Sequence, residues 1–392
     1  MKKFFLLITL VLLCIFICSL KMDTNENTVS FASWGSQSEV KILNKILTDF
    51  EKETNIKVKF SHIPQNYFQK IHLLFASNLE PDVIFINNHY LKMYADANLL
   101  EDVTTFIEKD EYHEVALDCL KYNGKLFAIP RDISTLVLYI NKDIFKEQHL
   151  KINKKINTIQ ELEEYAKRLK TNKNYALNYE EDPLYWLYYL AANDGGAISD
   201  DGNNIIISKK ESLDALDRYS KMINKKNYIP TKSQVGSMTS AQMFITGKLA
   251  MYLGGRWMIP KFEETITFHW DIVEFPSSEK NKVYVDSSGW AISKKSKNKE
   301  NAIKLVKYLS SNNSIKELSK SGLITPARKI EETGKTKIFT DMLKNTKPTP
   351  TNKSYGKIND ILKENANIVI LGEKRAEDVF NDKIIKELES LL

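Results

Sequence analysis

The chain has 392 residues, of which 27% are charged and 43% hydrophobic, and its formal net charge is +6. That is an ordinary soluble balance. The lysines are scattered with acids between them, a solvated surface that excludes a nucleic-acid stripe. The length exceeds what one hydrophobic core serves, so two lobes are expected.

Met1-Lys2-Lys3 precede a largely apolar run from Phe4 to Leu20, and Lys21 follows it. A positive segment followed by an apolar one is an export signal. The run sits at the lower edge of what spans a bilayer, so a cleaved signal peptide and a retained anchor both fit. Cys14 and Cys18 lie inside it. Bacterial lipoprotein signals end on a lipidated cysteine, and Cys18 is the better candidate because a full apolar run precedes it. A small residue usually stands just before that cysteine, and Ile17 departs from this pattern. Cys119 then has no partner, which excludes a disulfide framework and suits a small buried side chain.

Val29–Trp34 begins with strand-like alternation, and Ser36-Gln-Ser-Glu39 has the spacing of a capping box. Val40, Leu43, Leu47 and Phe50 then fall on one helical face. Ile56–Phe60 alternates as a strand, Tyr67–Ala76 reads as a helix, and Val83–Ile86 is a continuous apolar run suited to a strand buried on both faces. This β-α-β-α-β order opens a doubly wound α/β lobe. Leu126–Pro130 and Thr135–Ile140 read as further strands. Thr158…Glu161 and Ser208…Glu211 read as caps of later helices. Pro183–Ala192 is aromatic-rich and helical, Ala241–Gly247 is helical, and Lys248–Leu253 is a strand breaking at Gly254-Gly255. His269–Phe275 reads as a strand. Ser287-Ser288-Gly289 punctuates the chain before Trp290–Ser293. Ala302, Leu305, Val306 and Leu309 mark an amphipathic helix, Pro348 and Pro350 a linker, and helical segments run around Ile358–Ile368 and Ala376–Leu392.

Several chemistries find no support. Thr246-Gly247-Lys248-Leu249 lacks the first glycine and the hydroxyl of a phosphate loop. The six histidines show no metal-ligand spacing, and no nucleophile elbow or zinc-protease motif occurs. No cofactor, metal or catalytic residue is therefore assigned.

Four segments, in order, resemble the extracellular solute-binding proteins of family 1, the maltose-binding-protein-like receptors of ABC importers. They are Pro81–Asn87 with Tyr90, Ala95 and Leu99–Asp102; Gly124–Pro130 through Leu138–Phe145; Gly247–Trp257; and Gly289–Ser293 through Ala302 and Leu309 to Gly322–Arg328. The resemblance implies two doubly wound lobes with a hinge and a ligand cleft between them, in the manner of a type II periplasmic binding protein. By that analogy 1–27 is the signal or anchor segment. The N-terminal lobe is 28–138 with 286–337, and the C-terminal lobe is 139–285 with 338–392. The implied function is a non-enzymatic receptor that takes a mono- or oligosaccharide to the transmembrane subunits of a permease. It is expected to be a monomer, exported to the periplasm or the outer face of the cytoplasmic membrane, with lipid or the N-terminal segment as a membrane anchor. Alternatives are a same-fold receptor for a polyamine, peptide, phosphodiester or iron chelate, an exported glycoside hydrolase, and a sensor or adhesion module.

Candidate ligand residues follow from sugar chemistry, since pyranose C–H faces stack on aromatic rings and hydroxyls need polar partners. Trp34 with Gly35 follows the first strand. Asn87 and Asn88 end the buried strand, and Arg131-Asp132 follows Pro130, an opposite-charge pair suited to gripping two hydroxyls. Tyr185 and Trp186 lie in the aromatic segment. Gly255, Arg256 and Trp257 form the second-lobe turn, where glycine allows a tight path near a ligand. Ser288, Gly289 and Trp290 sit at the returning crossover.

Overall fold

The computed structural model describes residues 27–151, 155–277 and 282–392. The N-terminal apolar run, with Cys14 and Cys18, lies outside the described residues. Within them no helix is long and apolar enough to cross a membrane.

The order begins β1 (Thr28–Ser33), α1 (Gln37–Thr54), β2 (Lys57–His62), α2 (Tyr67–Ala76), β3 (Val83–Asn87) and α3 (Asn88–Asp96). The capping box forms as its spacing requires. Ser36 accepts from the Glu39 N–H, and the Glu39 carboxylate accepts from the Ser36 N–H. Strands β4 (Ile129–Ser134) and β5 (Leu136–Asn141) are separated only by Thr135. Then come α4 (Pro183–Ala191), α5 (Lys210–Asn224), β6 (Met251–Gly255) and β7 (Trp270–Glu274). The ten-residue β8 (Val283–Ile292), α6 (Lys299–Leu309), α7 (Asn312–Lys320), β9 (Thr325–Pro326), β10 (Thr346–Pro348) and α8 (Tyr355–Ile370) follow.

Two sheets carry two cores. The larger runs β9-β4-β8-β3-β1-β2, with β10 paired to the start of β8. Strands β1, β2 and β3 are parallel, while β8 runs antiparallel to β3 and β4. Phe31, Ile84, Ile86, Trp290, Leu305 and Leu309 fill this first core. In the second lobe β5 lies between β6 and β7, antiparallel to both. Its core gathers Val137, Tyr139, Trp186, Leu216, Phe244, Phe262 and Leu362. The chain passes between cores at Thr135 and again along β8, whose Val283 and Tyr284 belong to the second core and whose Trp290–Ile292 belong to the first.

Several local expectations are corrected. The strand ahead of Arg256 does not break at Gly254-Gly255, because both pair with β5, and Pro348 lies in β10 rather than in a linker. Ser287-Ser288-Gly289 does not interrupt the chain, because β8 continues through it with a register shift between Ser288 and Gly289. Glycine serves close strand approach there, since a Cβ on Gly289 would lie 2.3 Å from the Ile129 carbonyl oxygen. Ser208 does not cap α5. The N-cap is Lys209, without a side-chain cap, and the neighbouring Ser212 hydroxyl donates to the Gly196 carbonyl at 2.8 Å.

Candidate functional site

A cavity of about 710 Å³ opens at the junction of the lobes. This is a common size for a small-molecule site. From the first lobe its walls include Trp34, Glu39, Tyr67, Phe68, Phe85 and Asn87, with Leu323–Thr325. From the second they include Leu184, Arg256 and Trp257. The crossing strands supply Arg131–Thr135 and Asp286–Ser288.

Two indoles reach this space from different lobes. Trp34 leaves the end of β1, is 44% exposed and lies 6.2 Å from the Phe85 ring. Trp257 follows β6 and its indole packs on Gly255, where a Cβ would fall 2.0 Å from the ring. Gly255 is therefore the bed of this indole, although it does not line the cavity.

Most of the polar groups are held by one another. The buried Arg131 Nε donates to Asp132 Oδ2 at 2.6 Å, and its Nη2 lies 3.5 Å from Glu39 Oε1. The guanidinium rests over Phe85 at 4.9 Å and Trp290 at 5.4 Å. Burial alone would lower its pKa, but Asp132 and Glu39 outweigh that and hold it above its usual value. Asp132 Oδ1 accepts from the Ser288 hydroxyl. Asn87 Oδ1 is buried without a partner among the described residues, an acceptor available to a ligand.

The remaining candidates stand elsewhere. Trp186 and Trp290 are both 0% exposed and belong to the separate cores, which corrects the expectation that they stack on a ligand. Their positions beside strand ends do not decide which way an indole turns. The nearest groups explain Trp290, which meets Phe31 edge-on at 5.3 Å and supports Arg131 from behind. Asn88 is buried and spent on β8, donating to Asp286 Oδ1 at 2.9 Å and accepting from the Ser287 N–H at 3.2 Å. Tyr185 packs against the second core beside Leu184. The Gly35 carbonyl lies 2.8 Å from His62 Nε2, and neither Gly35 nor Gly289 lines the cavity.

Sequence reasoning missed Glu39, His89 and Asp286. Glu39 is legible only as a helix cap, and a search for metal spacing passes over a lone histidine. His89 Nε2 lies 2.9 Å from Asp286 Oδ1 at the floor of the cavity. Burial pulls the His89 pKa down, but Asp286 more than compensates and raises it. Burial pushes the Asp286 carboxyl up, and His89 with the Asn88 and Thr349 hydrogen bonds brings it below its usual value. The histidine contribution to stability is therefore complete below about pH 6.5 and lost as pH rises through its raised folded value. The aspartate contribution is present above about pH 4 and lost as pH falls through its lowered value. Between pH 6 and 9 the Tm should fall as the His89 contribution is lost, and His89→Gln should remove that part of the slope. Differential scanning fluorimetry across pH checks it.

Known proteins resemble this chain in sequence and in fold. The maltodextrin-binding protein MdxE of Bacillus subtilis (strain 168) is 26% identical over 282 residues, covering 68% of this chain and 65% of that protein. The ABC substrate-binding protein Lmo0181 from Listeria monocytogenes, solved with cycloalternan, superposes with a TM-score of 0.80 at 23% identity, over 93% of this chain and 97% of that one. UgpB from Mycobacterium tuberculosis, solved with glycerophosphocholine, gives 0.79 at 17% identity over 93% and 98% of the two chains. The family model for bacterial extracellular solute-binding proteins matches residues 45–345. With two lobes, strands that cross between them and a lined cavity at their junction, the chain belongs to the bacterial extracellular solute-binding protein family.

Proposed function

We propose that this chain is the exported, non-enzymatic receptor of an ABC importer and that it captures a carbohydrate. One observation carries the reading: Trp34 and Trp257 approach one cavity from different lobes. Aromatic faces there suit the apolar faces of a pyranose, and Arg131, Asp132, Ser288 and Asn87 suit its hydroxyls. The charges are already matched, Arg131 with Asp132 and Glu39, Arg256 with Glu332, and His89 with Asp286. Such a lining favours a neutral guest over a phosphodiester, whose charge would need a cation not already paired. A ligand touching both lobes favours their closure, because only differential contact with the closed form shifts that balance. The closed form then docks on the permease. Anchoring at the outer face of the cytoplasmic membrane, through Cys18 or the apolar run, completes the proposal.

Thermal shift of the soluble fragment against a saccharide panel tests it. A bound saccharide at 100 times its Kd should add roughly 2.7 kcal/mol. Should only glycerophosphocholine, a polyamine or a peptide raise the Tm, the carbohydrate assignment is wrong while the receptor fold stands.

A further inference from the structure

Arg256 is tied across the molecule in a way that ligand capture does not by itself require. It leaves the second lobe after β6, yet its Nη1 lies 3.1 Å from Glu332 Oε1, with the two side chains only 5% and 7% exposed. Its Nη2 lies 3.3 Å from the Ser319 hydroxyl on α7, a helix whose Ile315 and Leu318 pack in the first core. Glu332 is held from three sides. Its Oε1 also accepts from Ser319 Oγ at 2.9 Å, and its Oε2 accepts from Thr336 Oγ1 at 2.6 Å. It stands between Ile330, packed on the first core, and Ile338, packed on the second. Beside this cluster Gly322 of the first lobe abuts Pro260 of the second, whose Cγ would lie 3.1 Å from an added Cβ. Arg256 Nε is buried and lacks a hydrogen-bond partner among the described residues, and the residue lines the cavity.

From this geometry we infer that Glu332 is a positioning residue that clamps the lobes together through Arg256 and Ser319 and sets Arg256 against the bound ligand. A buried charge pair is costly to break from one side, since the remaining charge stays desolvated. Opening the lobes must separate Arg256 from Ser319, so the clamp slows opening. Its loss acts on ligand release more than on capture, as for other desolvated charge pairs. The ligand-facing part of this inference rests on the receptor function proposed above; the clamp itself does not.

The test uses the soluble chain and Glu332→Gln, which keeps the side-chain shape, with Ser319→Ala as a milder second variant. Small-angle scattering of the ligand-free proteins should show a larger radius of gyration for Glu332→Gln than for wild type, with Ser319→Ala between them. With the saccharide that raises the wild-type Tm most, stopped-flow tryptophan fluorescence should show koff up by about tenfold or more and kon changed little. Circular dichroism confirms folding, and Ser319→Ala decides alone if Glu332→Gln fails to fold. Equal radii in the ligand-free proteins overturn the clamp. An unchanged koff overturns the positioning role. If no saccharide binds, the carbohydrate reading fails and the scattering comparison still decides the clamp.

Discussion

Asp132→Ala is expected to destabilise the protein by about 3–5 kcal/mol and to abolish ligand binding. The substitution leaves the Arg131 guanidinium buried with only the more distant Glu39 oxygen beside it. It also removes the acceptor of the Ser288 hydroxyl on β8. The penalty is one of an uncompensated charge rather than of the pair's net worth, and a double replacement separates the two. Arg131→Met with Asp132→Ala should recover most of the lost stability, because no buried cation remains, while binding stays absent. Denaturant unfolding measures the first quantity and calorimetry against the best saccharide the second. Equal stability of Asp132→Ala and wild type would show that water reaches Arg131 and that its ion pair carries little.

Trp257→Ala should weaken ligand binding by about 2 kcal/mol, roughly thirtyfold in Kd, with the fold intact. Trp34→Ala should have a comparable effect, since its indole, 44% exposed, also lines the cavity. Gly255→Ala offers an independent check. A methyl group there meets the Trp257 ring at 2.0 Å, so the indole must leave its bed and binding should fall even though every ligand-facing side chain is retained. Trp186→Ala and Trp290→Ala, by contrast, open cavities in the two cores and should cost about 3–5 kcal/mol of stability. Isothermal titration and thermal unfolding of the set distinguish the two pairs. Unchanged affinity in both Trp34→Ala and Trp257→Ala would remove stacking from the proposed mechanism.

Much of the fold was legible because local rules and tertiary packing agree. The run Val83–Ile86 is buried on both faces as its uninterrupted apolar sequence requires. The Ser36–Glu39 box forms because its two hydrogen bonds close within one helical turn. Where they disagree, a long-range contact decides. Gly289 reads as a break, but the close approach of β4 makes it a bulge in a continuous strand. The last predicted helix over 376–392 divides into Ala376–Val379 and Asp382–Glu389, with Asn381 capping the second. Asparagine there offers its side chain to the backbone, a turn the hydrophobic pattern does not register.

The site divides along the same line. From sequence alone came the two-lobed α/β class, written in length and periodicity, and, through the family resemblance, the segments that reach the cavity. Which members of those segments face the cavity was decided only by the tertiary structure. Side-chain direction near a strand end depends on what packs behind it. Asn87 faces the cavity while Asn88 is drawn into β8, and Trp257 lies in the cleft while Trp290 fills a core. The pairings of Arg131 with Glu39, His89 with Asp286 and Arg256 with Glu332 join residues far apart in the chain. No local pattern encodes such pairs, because the attraction that forms them exists only after folding has removed water from around the charges.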